Sequence, residues 1–253
     1  MSDELQARCE FGRGLIDEAA ALALDFNRRL SSLTIKSKGT QDVVSEAAVE
    51  VERLIRGRIK ERFPEDAFFG EESGLGEIEE ARHIWVVDPI DGTQPFLCEL
   101  SSWCVSIGLA QDGRLEAGFL AAPGRDEIFV GQRGYGATLN GRPISVSAST
   151  SLDDGLLSIG MSPRIGADEI VPMFDQLLRQ GVVYYREGSG ALSLAYVAAG
   201  RLIGYLEPHL NSWDGAAGVA IVEAAGGQVN YWFRRDSLRS GAPIAAARPA
   251  LYP

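Results

Sequence analysis

The sequence has few cysteines and no long apolar runs, and each shortage excludes a class of protein. Its three cysteines, Cys9, Cys98 and Cys104, are odd in number and show no Cys-x-x-Cys spacing. We therefore expect reduced thiols in a cytoplasmic protein rather than a disulfide framework. No apolar run approaches the roughly 20 residues that span a bilayer. The acidic amino-terminal segment also lacks the apolar core of a signal peptide.

Positive charge is scarce as well. The 253 residues include 24 Lys and Arg against 35 Asp and Glu, a net charge of −11. Such a chain repels a phosphate backbone and an anionic membrane, so we expect neither nucleic acid nor membrane as a partner. Some of the negative charge is expected to hold cations. The 45% hydrophobic content is enough to bury a core.

Apolar spacing predicts two amino-terminal helices followed by short strands. Residues 4–30 carry apolar side chains at helical spacing, and a second helix is predicted from an N-cap at Ser45 to Arg62. The predicted strand Ile84–Asp88 is expected to end at Asp88, because Pro89 cannot donate to a strand ladder. Residues 134–142 are expected to form a hairpin loop. The strands predicted in this half are Ala67–Phe69, Ile84–Asp88, Trp103–Ala110, Leu115–Ala122 and Glu127–Gln132.

After residue 150 strands and helices alternate. The predicted strands are Leu156–Gly160, Val182–Arg186 and Ile203–Glu207, and the predicted helices are 167–180, 190–200 and 213–225. The pattern predicts an α+β subdomain over 1–150, with an antiparallel sheet and most of the metal ligands, and an α/β subdomain over 151–253 that completes the site. No linker separates them, so we expect the site to lie between two packed halves.

The segment Asp88-Pro89-Ile90-Asp91-Gly92-Thr93 is the most informative. It places two carboxylates three residues apart after a strand, and carboxylates suit hard cations such as Mg²⁺. Gly92 allows a close backbone approach, and the amides that begin the following segment can bind phosphate. A cation site beside an anion site is what hydrolysis of a phosphate ester requires.

Two further acidic segments support this interpretation. Glu71 and Glu72 lie between glycines after a short apolar strand, and Asp214 lies at the predicted start of an apolar helix. Taken alone, a Glu-Glu pair is usually a solvated turn and an Asp before a helix is usually an N-cap. Their occurrence together with the Asp88 segment favours a metal site.

On these segments, with Glu223-Ala224-Ala225-Gly226-Gly227, the sequence resembles the inositol monophosphatase family of Mg²⁺-dependent, lithium-sensitive phosphatases. The resemblance covers roughly residues 5–230. It implies a layered αβαβα sandwich of the inositol monophosphatase and fructose-1,6-bisphosphatase type, in the α+β and α/β classes. It also implies a homodimer and two or three Mg²⁺ ions per site.

The resemblance implies a role for each matching residue. The expected metal ligands are Glu71, Asp88, the Ile90 carbonyl, Asp91 and Asp214, with Asp88 bridging two ions and Glu72 near a weaker third site. The expected catalytic residues, which orient the attacking water or support its activation, are Glu71, Thr93 and Asp91. The amides of Gly92 and Thr93 are expected to hold phosphate. The expected substrate contacts are Asp91, Gly190, Glu207 and Asp214.

One residue departs from the family pattern. The family carries an acid at the position of Ala48, where it pairs with the threonine that corresponds to Thr93 and helps to activate water. With Ser45 as N-cap, Ala48 is also the N3 position, where a capping box has an acid. Three interpretations stay open: Glu46 substitutes for the acid, the chain is a slow enzyme or a binding protein, or the alanine is an introduced change.

The sequence therefore predicts a cytoplasmic Mg²⁺-dependent phosphomonoesterase acting on a small metabolite phosphate, with inositol 1-phosphate preferred. Two alternatives remain. One is a histidinol-phosphate phosphatase on the same scaffold, because Glu207 could pair with an ammonium group. The other is a weakly active or inactive family member that acts as a regulatory binding protein, since some members of the family bind transcription or RNA-processing machinery.

Overall fold

Two long helices begin the chain, as predicted. Helix α1 spans Asp3–Asn27, and α2 spans Glu46–Arg62 directly after Ser45, whose side chain lies outside the described part. The Ser2 hydroxyl caps α1 by accepting a hydrogen bond from the Leu5 amide at 3.3 Å. The structure is a computed structural model, and it describes residues 2–30, 35–37, 43–75, 81–162, 164–230, 233, 238 and 240–251.

The first half of the chain forms an eight-stranded sheet. Apart from the short pair β1 (Ile35–Ser37) and β2 (Val43–Ser45), its strands are β3 (Ala67–Gly70), β4 (Gly74–Leu75), β5 (His83–Asp91), β6 (Cys104–Gln111), β7 (Arg114–Ala122), β8 (Glu127–Gln132), β9 (Gly136–Leu139) and β10 (Arg142–Ile144). Their spatial order is β10-β9-β8-β7-β6-β5-β3-β4. Neighbouring strands are antiparallel, as predicted, except that β3 and β5 run parallel. A short helix, α3 (Thr93–Leu97), follows β5.

Two predictions in this half were wrong. Strand β5 does not end at Asp88, because the irregular pairing with β6 between Asp88 and Asp91 accommodates Pro89 within the strand. The stretch 134–142 is not all loop, since β9 pairs with β8 along its length. Asn140 and Gly141, both with positive φ, turn the chain between β9 and β10.

The second half forms a five-stranded sheet with the predicted α/β alternation. Strand β11 is parallel to both of its neighbours, while the last strand pairs antiparallel with β13 and β14. The spatial order is β12-β11-β13-β15-β14. The elements are β11 (Leu156–Ile159), α4 (Ala167–Arg179), β12 (Val183–Tyr185), α5 (Gly190–Ala198), β13 (Gly204–Leu210), α6 (Ser212–Ala224), β14 (Gln228–Val229) and β15 (Ala242–Ala247).

The elements stack in five layers, which confirms the predicted αβαβα sandwich. Helices α1 and α2 cover one face of the eight-stranded sheet. Helices α5 and α6 lie between the two sheets, and α4 packs on the outer face of the second sheet. Because α5 and α6 also pack on the first sheet, the division of the chain at residue 150 stays a prediction. Among the described residues, no helix combines the length and apolarity needed to cross a bilayer.

A row of three glycines sets the height of α6 above the first sheet. Gly108, Gly118 and Gly131 lie side by side on β6, β7 and β8. A Cβ atom at Gly118 would lie 2.2 Å from the Ala217 carbonyl oxygen of α6. A Cβ atom at Gly108 would lie 2.8 Å from Ala216 Cβ, and one at Gly131 would lie 2.5 Å from Ile221 Cα. Only glycine therefore lets the helix backbone approach this closely, and the approach carries the start of α6 to the end of β5.

Candidate metal centre

Three carboxylates converge where β5 ends and α6 begins. Oxygen atoms of Asp88, Asp91 and Asp214 all lie within 4.8 Å of one another. Asp88 and Asp91 are buried, and Asp214 is half-buried. These three residues are called the acidic cluster below. Asp88 and Asp91 belong to the first half of the chain and Asp214 belongs to the second, so the cluster lies between the two halves.

The irregularity in β5 explains how Asp88 and Asp91 reach one place. Residues three apart on a regular strand point to opposite faces of a sheet. The register shift between Asp88 and Asp91 adds backbone on one strand and changes this alternation. The Ile90 amide donates to Asp88 Oδ1 at 2.9 Å, which holds the bent segment in place.

The start of α5 holds Asp91. Asp91 Oδ2 accepts hydrogen bonds from the Ser189 hydroxyl at 2.5 Å and from the Ala191 amide at 2.7 Å. The same hydroxyl oxygen caps α5 by accepting from the Leu192 amide at 3.1 Å. Sequence reasoning assigned no role to Ser189, although its place between Gly188 and Gly190, before an apolar helix, is a typical N-cap signal.

The start of α6 holds Asp214. Its Oδ2 accepts from the backbone amide of Asn211 at 3.3 Å and from Asn211 Nδ2 at 3.0 Å. Asn211 is the N-cap and Asp214 is the third residue of the helix, so the N-cap alternative for Asp214 was wrong. Asp214 thus stabilises the helix start and belongs to the acidic cluster.

Glu71 lies next to the acidic cluster. It follows β3, and its amide donates to the Val87 carbonyl at 3.2 Å, one residue before Asp88. Its charge contributes to the raised pKa of Asp88 and of Asp214. The structure therefore brings Glu71 to the same place as the other predicted ligands.

Glu52 is a residue that sequence reasoning missed. Its buried carboxylate accepts from the amides of Glu72 and Ser73, each at 2.9 Å, and so ties α2 to the turn that follows Glu71. The signal was present in the sequence. Glu52 is an acid one helical turn after Ala48, within the otherwise apolar buried stripe of α2.

The predicted phosphate-binding residues follow directly on the acidic cluster. Gly92 has φ of 91°, and a Cβ atom there would lie 2.7 Å from the Ser102 carbonyl oxygen, so both its conformation and its surroundings require glycine. The Thr93 hydroxyl donates to the Ile90 carbonyl at 3.3 Å. Thr93 and Ile90 are therefore adjacent, as expected if Ile90 binds a cation and Thr93 orients water beside it.

The predicted substrate residues line the other side of the acidic cluster. A Cβ atom at Gly190 would lie 3.9 Å from Asp214 Cβ and 3.1 Å from the Tyr205 hydroxyl. That hydroxyl donates to Glu207, which is half-buried. All the residues with predicted roles thus lie around one place, although the roles themselves stay predictions.

The surroundings of the acidic cluster disfavour the ionised form of its own carboxyl groups. Burial, with the charges of neighbouring acids, raises the pKa of Asp88 and of Asp214 well above their ordinary values. Burial raises the pKa of Asp91 to about 6 even though Ser189 and Ala191 hydrogen bonds oppose the shift. Burial also raises the pKa of Glu207 to about 7.

A divalent cation fits this arrangement. Among the described residues, no ion pair with Arg, Lys or His involves the acidic cluster. Converging buried carboxylates without a positive partner repel one another, and a hard cation bound by oxygen would remove that repulsion. Asp88, Asp91, Asp214 and Glu71 are the side chains able to hold it.

Comparison with known proteins identifies the family. The model of the inositol monophosphatase family matches residues 5–253. The chain is 38% identical to the Nus factor SuhB of Pseudomonas aeruginosa, over 80% of this chain and 77% of that protein. It is 37% identical to an inositol-1-monophosphatase of Mesorhizobium japonicum, over 89% and 85%.

A solved structure has the same fold. The extragenic suppressor protein suhB from Bartonella henselae superposes with a TM-score of 0.87 at 33% identity, covering 94% of this chain and 92% of that one. The layered fold, the acidic cluster and the match to the family model over almost the whole sequence lead to one conclusion. The chain belongs to the inositol monophosphatase family, whose members include phosphatases.

Proposed function

We propose that the protein is a Mg²⁺-dependent phosphomonoesterase that hydrolyses a small polyol phosphate, with inositol 1-phosphate as the preferred substrate. The observation that carries the proposal is the acidic cluster, three carboxylates within 4.8 Å of one another at the junction of β5 and α6. The chain's membership of the inositol monophosphatase family supports the phosphatase chemistry.

The proposed metal ligands are Glu71, the Ile90 carbonyl and the three carboxylates of the acidic cluster. When two or three Mg²⁺ ions are bound, they supply charge neutralisation for the phosphate and a lowered pKa for a water molecule. Oxygen ligands alone would suffice to bind the cations, because the cluster is buried and burial strengthens each electrostatic contact between a carboxylate and a cation.

The remaining residues act by orientation. We assign Glu71 and Thr93 to hold the attacking water and the amides of Gly92 and Thr93 to hold the phosphate oxygens. The oxygen of the water would then bond to phosphorus as the ester P–O bond breaks, and the leaving alcohol oxygen would take up the proton that the water loses, which gives the free alcohol and inorganic phosphate. Asp91 supports this step through its fixed position, which Ser189 and Ala191 maintain.

Glu207 favours a polyol over an amine. One of its oxygens accepts from the Tyr205 hydroxyl, which leaves the other for a substrate hydroxyl. Burial raises its pKa to about 7 in the metal-free site, and a raised pKa disfavours the charged form that an ammonium group would need. This weakens pairing with an ammonium group but permits hydrogen bonds with hydroxyls. Histidinol phosphate is therefore the second substrate candidate.

A phosphate-release assay tests the proposal. Inositol 1-phosphate and histidinol phosphate are compared with Mg²⁺, with EDTA and with added Li⁺, for the natural chain and Asp88→Asn. We expect Mg²⁺-dependent release that is faster with inositol 1-phosphate and is lost in Asp88→Asn. Release that survives both EDTA and Asp88→Asn would contradict the proposed site, and faster release from histidinol phosphate would reassign the substrate.

A regulatory binding protein is the second candidate function. Two observations favour it: alanine at position 48, where the family carries an acid, and similarity to a relative named as a Nus factor. A phosphatase and a regulator differ in one measurement. If neither the natural chain nor Ala48→Asp releases phosphate from any monoester tested, the regulatory function is favoured.

Assembly and location complete the proposal. We expect a cytoplasmic homodimer, as the family resemblance implies. Sedimentation equilibrium should give about twice the monomer mass of 27.2 kDa, and a monomer at micromolar concentration would contradict the dimer.

A further inference from the structure

A buried ion pair joins the two halves of the molecule beside the metal centre. The Glu187 side chain is fully buried, at 0% exposure, and pairs with the Arg125 guanidinium, which is 25% exposed. The Tyr185 hydroxyl also donates to Glu187. A buried carboxylate is costly unless it is paired and hydrogen-bonded. Glu187 is therefore held in one place by groups from both halves.

Arg125 connects the same carboxylate to the segment behind Gly92. Its Nε donates to the Ser101 carbonyl at 3.1 Å, and its second terminal nitrogen, Nη2, donates to the Ser102 hydroxyl at 3.3 Å. The Ser102 carbonyl is the backbone group against which Gly92 packs. Arg125 thus fixes the distance between this segment and Glu187.

Glu187 begins the loop that holds Asp91. Two residues later Ser189 donates to Asp91 Oδ2, and Ala191 donates to the same oxygen. Gly188, with φ of 89°, lies against Pro95 of α3, where a Cβ atom would approach within 3.0 Å. The segment 187–191, which runs into the start of α5, is therefore confined between α3 and the Arg125 pair.

We infer that Arg125 and Glu187 are positioning residues for the metal centre. They act through Ser189 and Ala191, which set the place and orientation of the Asp91 carboxylate. This inference rests on the proposed function, because it concerns the affinity of the acidic cluster for a divalent cation. Residues that orient metal ligands typically change metal affinity by about 10- to 100-fold when they are replaced.

Metal affinity in Glu187→Gln tests the inference. The substitution keeps the shape of the side chain and removes its charge. Isothermal titration of the full chain with Mn²⁺ alone should show Kd raised about tenfold, together with a lower Tm. A merely structural role would lower Tm and leave Kd unchanged.

Asp66→Asn is the matched control. Asp66 is a buried carboxylate, 1% exposed, that pairs with Arg8 at 2.7 Å and accepts from the Trp85 indole at 2.8 Å. It precedes β3, at the opposite end of that strand from Glu71. We expect Asp66→Asn to lower Tm and to leave the Mn²⁺ affinity unchanged.

Each outcome decides one question. An unchanged Kd in Glu187→Gln, or an equal rise in Asp66→Asn, would overturn the positioning role while the natural chain still binds Mn²⁺. A natural chain that binds no Mn²⁺ would overturn the proposed function as well. If Glu187→Gln does not fold, Tyr185→Phe removes only one donor to Glu187 and should raise Kd by a smaller factor; an unchanged Kd there would also count against the role.

Discussion

At the scale of single residues, Ala48 is the position expected to limit the rate of the site. It is buried at the start of α2, and the positions of two nearby acids disfavour them as substitutes for an acid there. Glu46 is exposed and lies about 200° round the helix from Ala48. Both oxygens of Glu52 already accept backbone amides, those of Glu72 and Ser73. The structure therefore disfavours Glu46 as a substitute.

Restoring the acid should raise activity. We expect Ala48→Asp to increase kcat for inositol 1-phosphate at saturating Mg²⁺ by about ten- to a thousand-fold, roughly 1–4 kcal/mol of barrier, because an acid there can orient Thr93 and the water. Phosphate release measures it. Val49→Asp, at an exposed neighbouring position, is the control and should leave kcat unchanged. Equal rates for Ala48→Asp and the natural chain would show that Ala48 does not limit catalysis.

At the scale of elements, the approach of α6 to the first sheet decides whether Asp214 reaches Asp88. The glycine row sets the spacing on one side. On the other side, Gly218 of α6 packs against Leu194 of α5, where a Cβ atom would lie 2.5 Å from Leu194 Cβ. Small side chains on both faces thus allow α6 to lie deep between the sheet and α5.

Filling this contact should move α6. Gly118→Ala places a methyl group against the Ala217 carbonyl, and we expect a loss of about 1–3 kcal/mol of stability together with weaker Mn²⁺ binding, because Asp214 moves with the helix. Thermal unfolding and Mn²⁺ titration measure the two effects.

Gly57→Ala provides the control. Gly57 lies within α2, and a Cβ atom there would meet no atom of the described residues within 4 Å apart from the backbone of its own helix. Alanine at this position should therefore stabilise the protein by about 0.4–1 kcal/mol without changing the Mn²⁺ Kd. A Gly118→Ala protein with natural stability and metal affinity would contradict the role of the glycine row.

At the scale of the whole molecule, the chain has a net charge of −11 and buries several acidic side chains close together. The folded state raises the pKa of Asp91 to about 6 and of Glu207 to about 7, chiefly through burial. Carboxyls with raised pKa bind more protons in the folded chain than in the unfolded chain. The free energy of unfolding contributed by these groups therefore falls as pH rises from about 4 to 7.

Metal-free stability should follow this direction. In EDTA, we expect these groups to give a lower Tm at pH 7.5 than at pH 5. Adding Mg²⁺ should raise Tm more at pH 7.5 than at pH 5, because the cation binds the deprotonated carboxylates. Scanning calorimetry measures both. Asp214→Asn removes one acid of the cluster and should make the decline with pH shallower. A decline as steep in Asp214→Asn as in the natural chain would contradict this origin.

Local patterns were sufficient to predict much of the fold and the candidate site. Helices α1 and α2 begin and end close to their predicted bounds, because burial of one helix face leaves a regular mark in the sequence. The path of β5 through Pro89 was missed, because a bulge depends on the neighbouring strand rather than on the residues themselves.

The sequence by itself determined which residues are predicted to carry the chemistry: acids beside glycines, in segments that resemble those of a phosphatase family. Only the tertiary structure decided that Asp88, Asp91 and Asp214 meet, and that the Arg125–Glu187 ion pair lies beside the segment that holds Asp91. The physical reason is that these contacts join residues far apart in the chain through packing and buried charge. Such contacts arise only when the elements are brought together, so no local pattern encodes them.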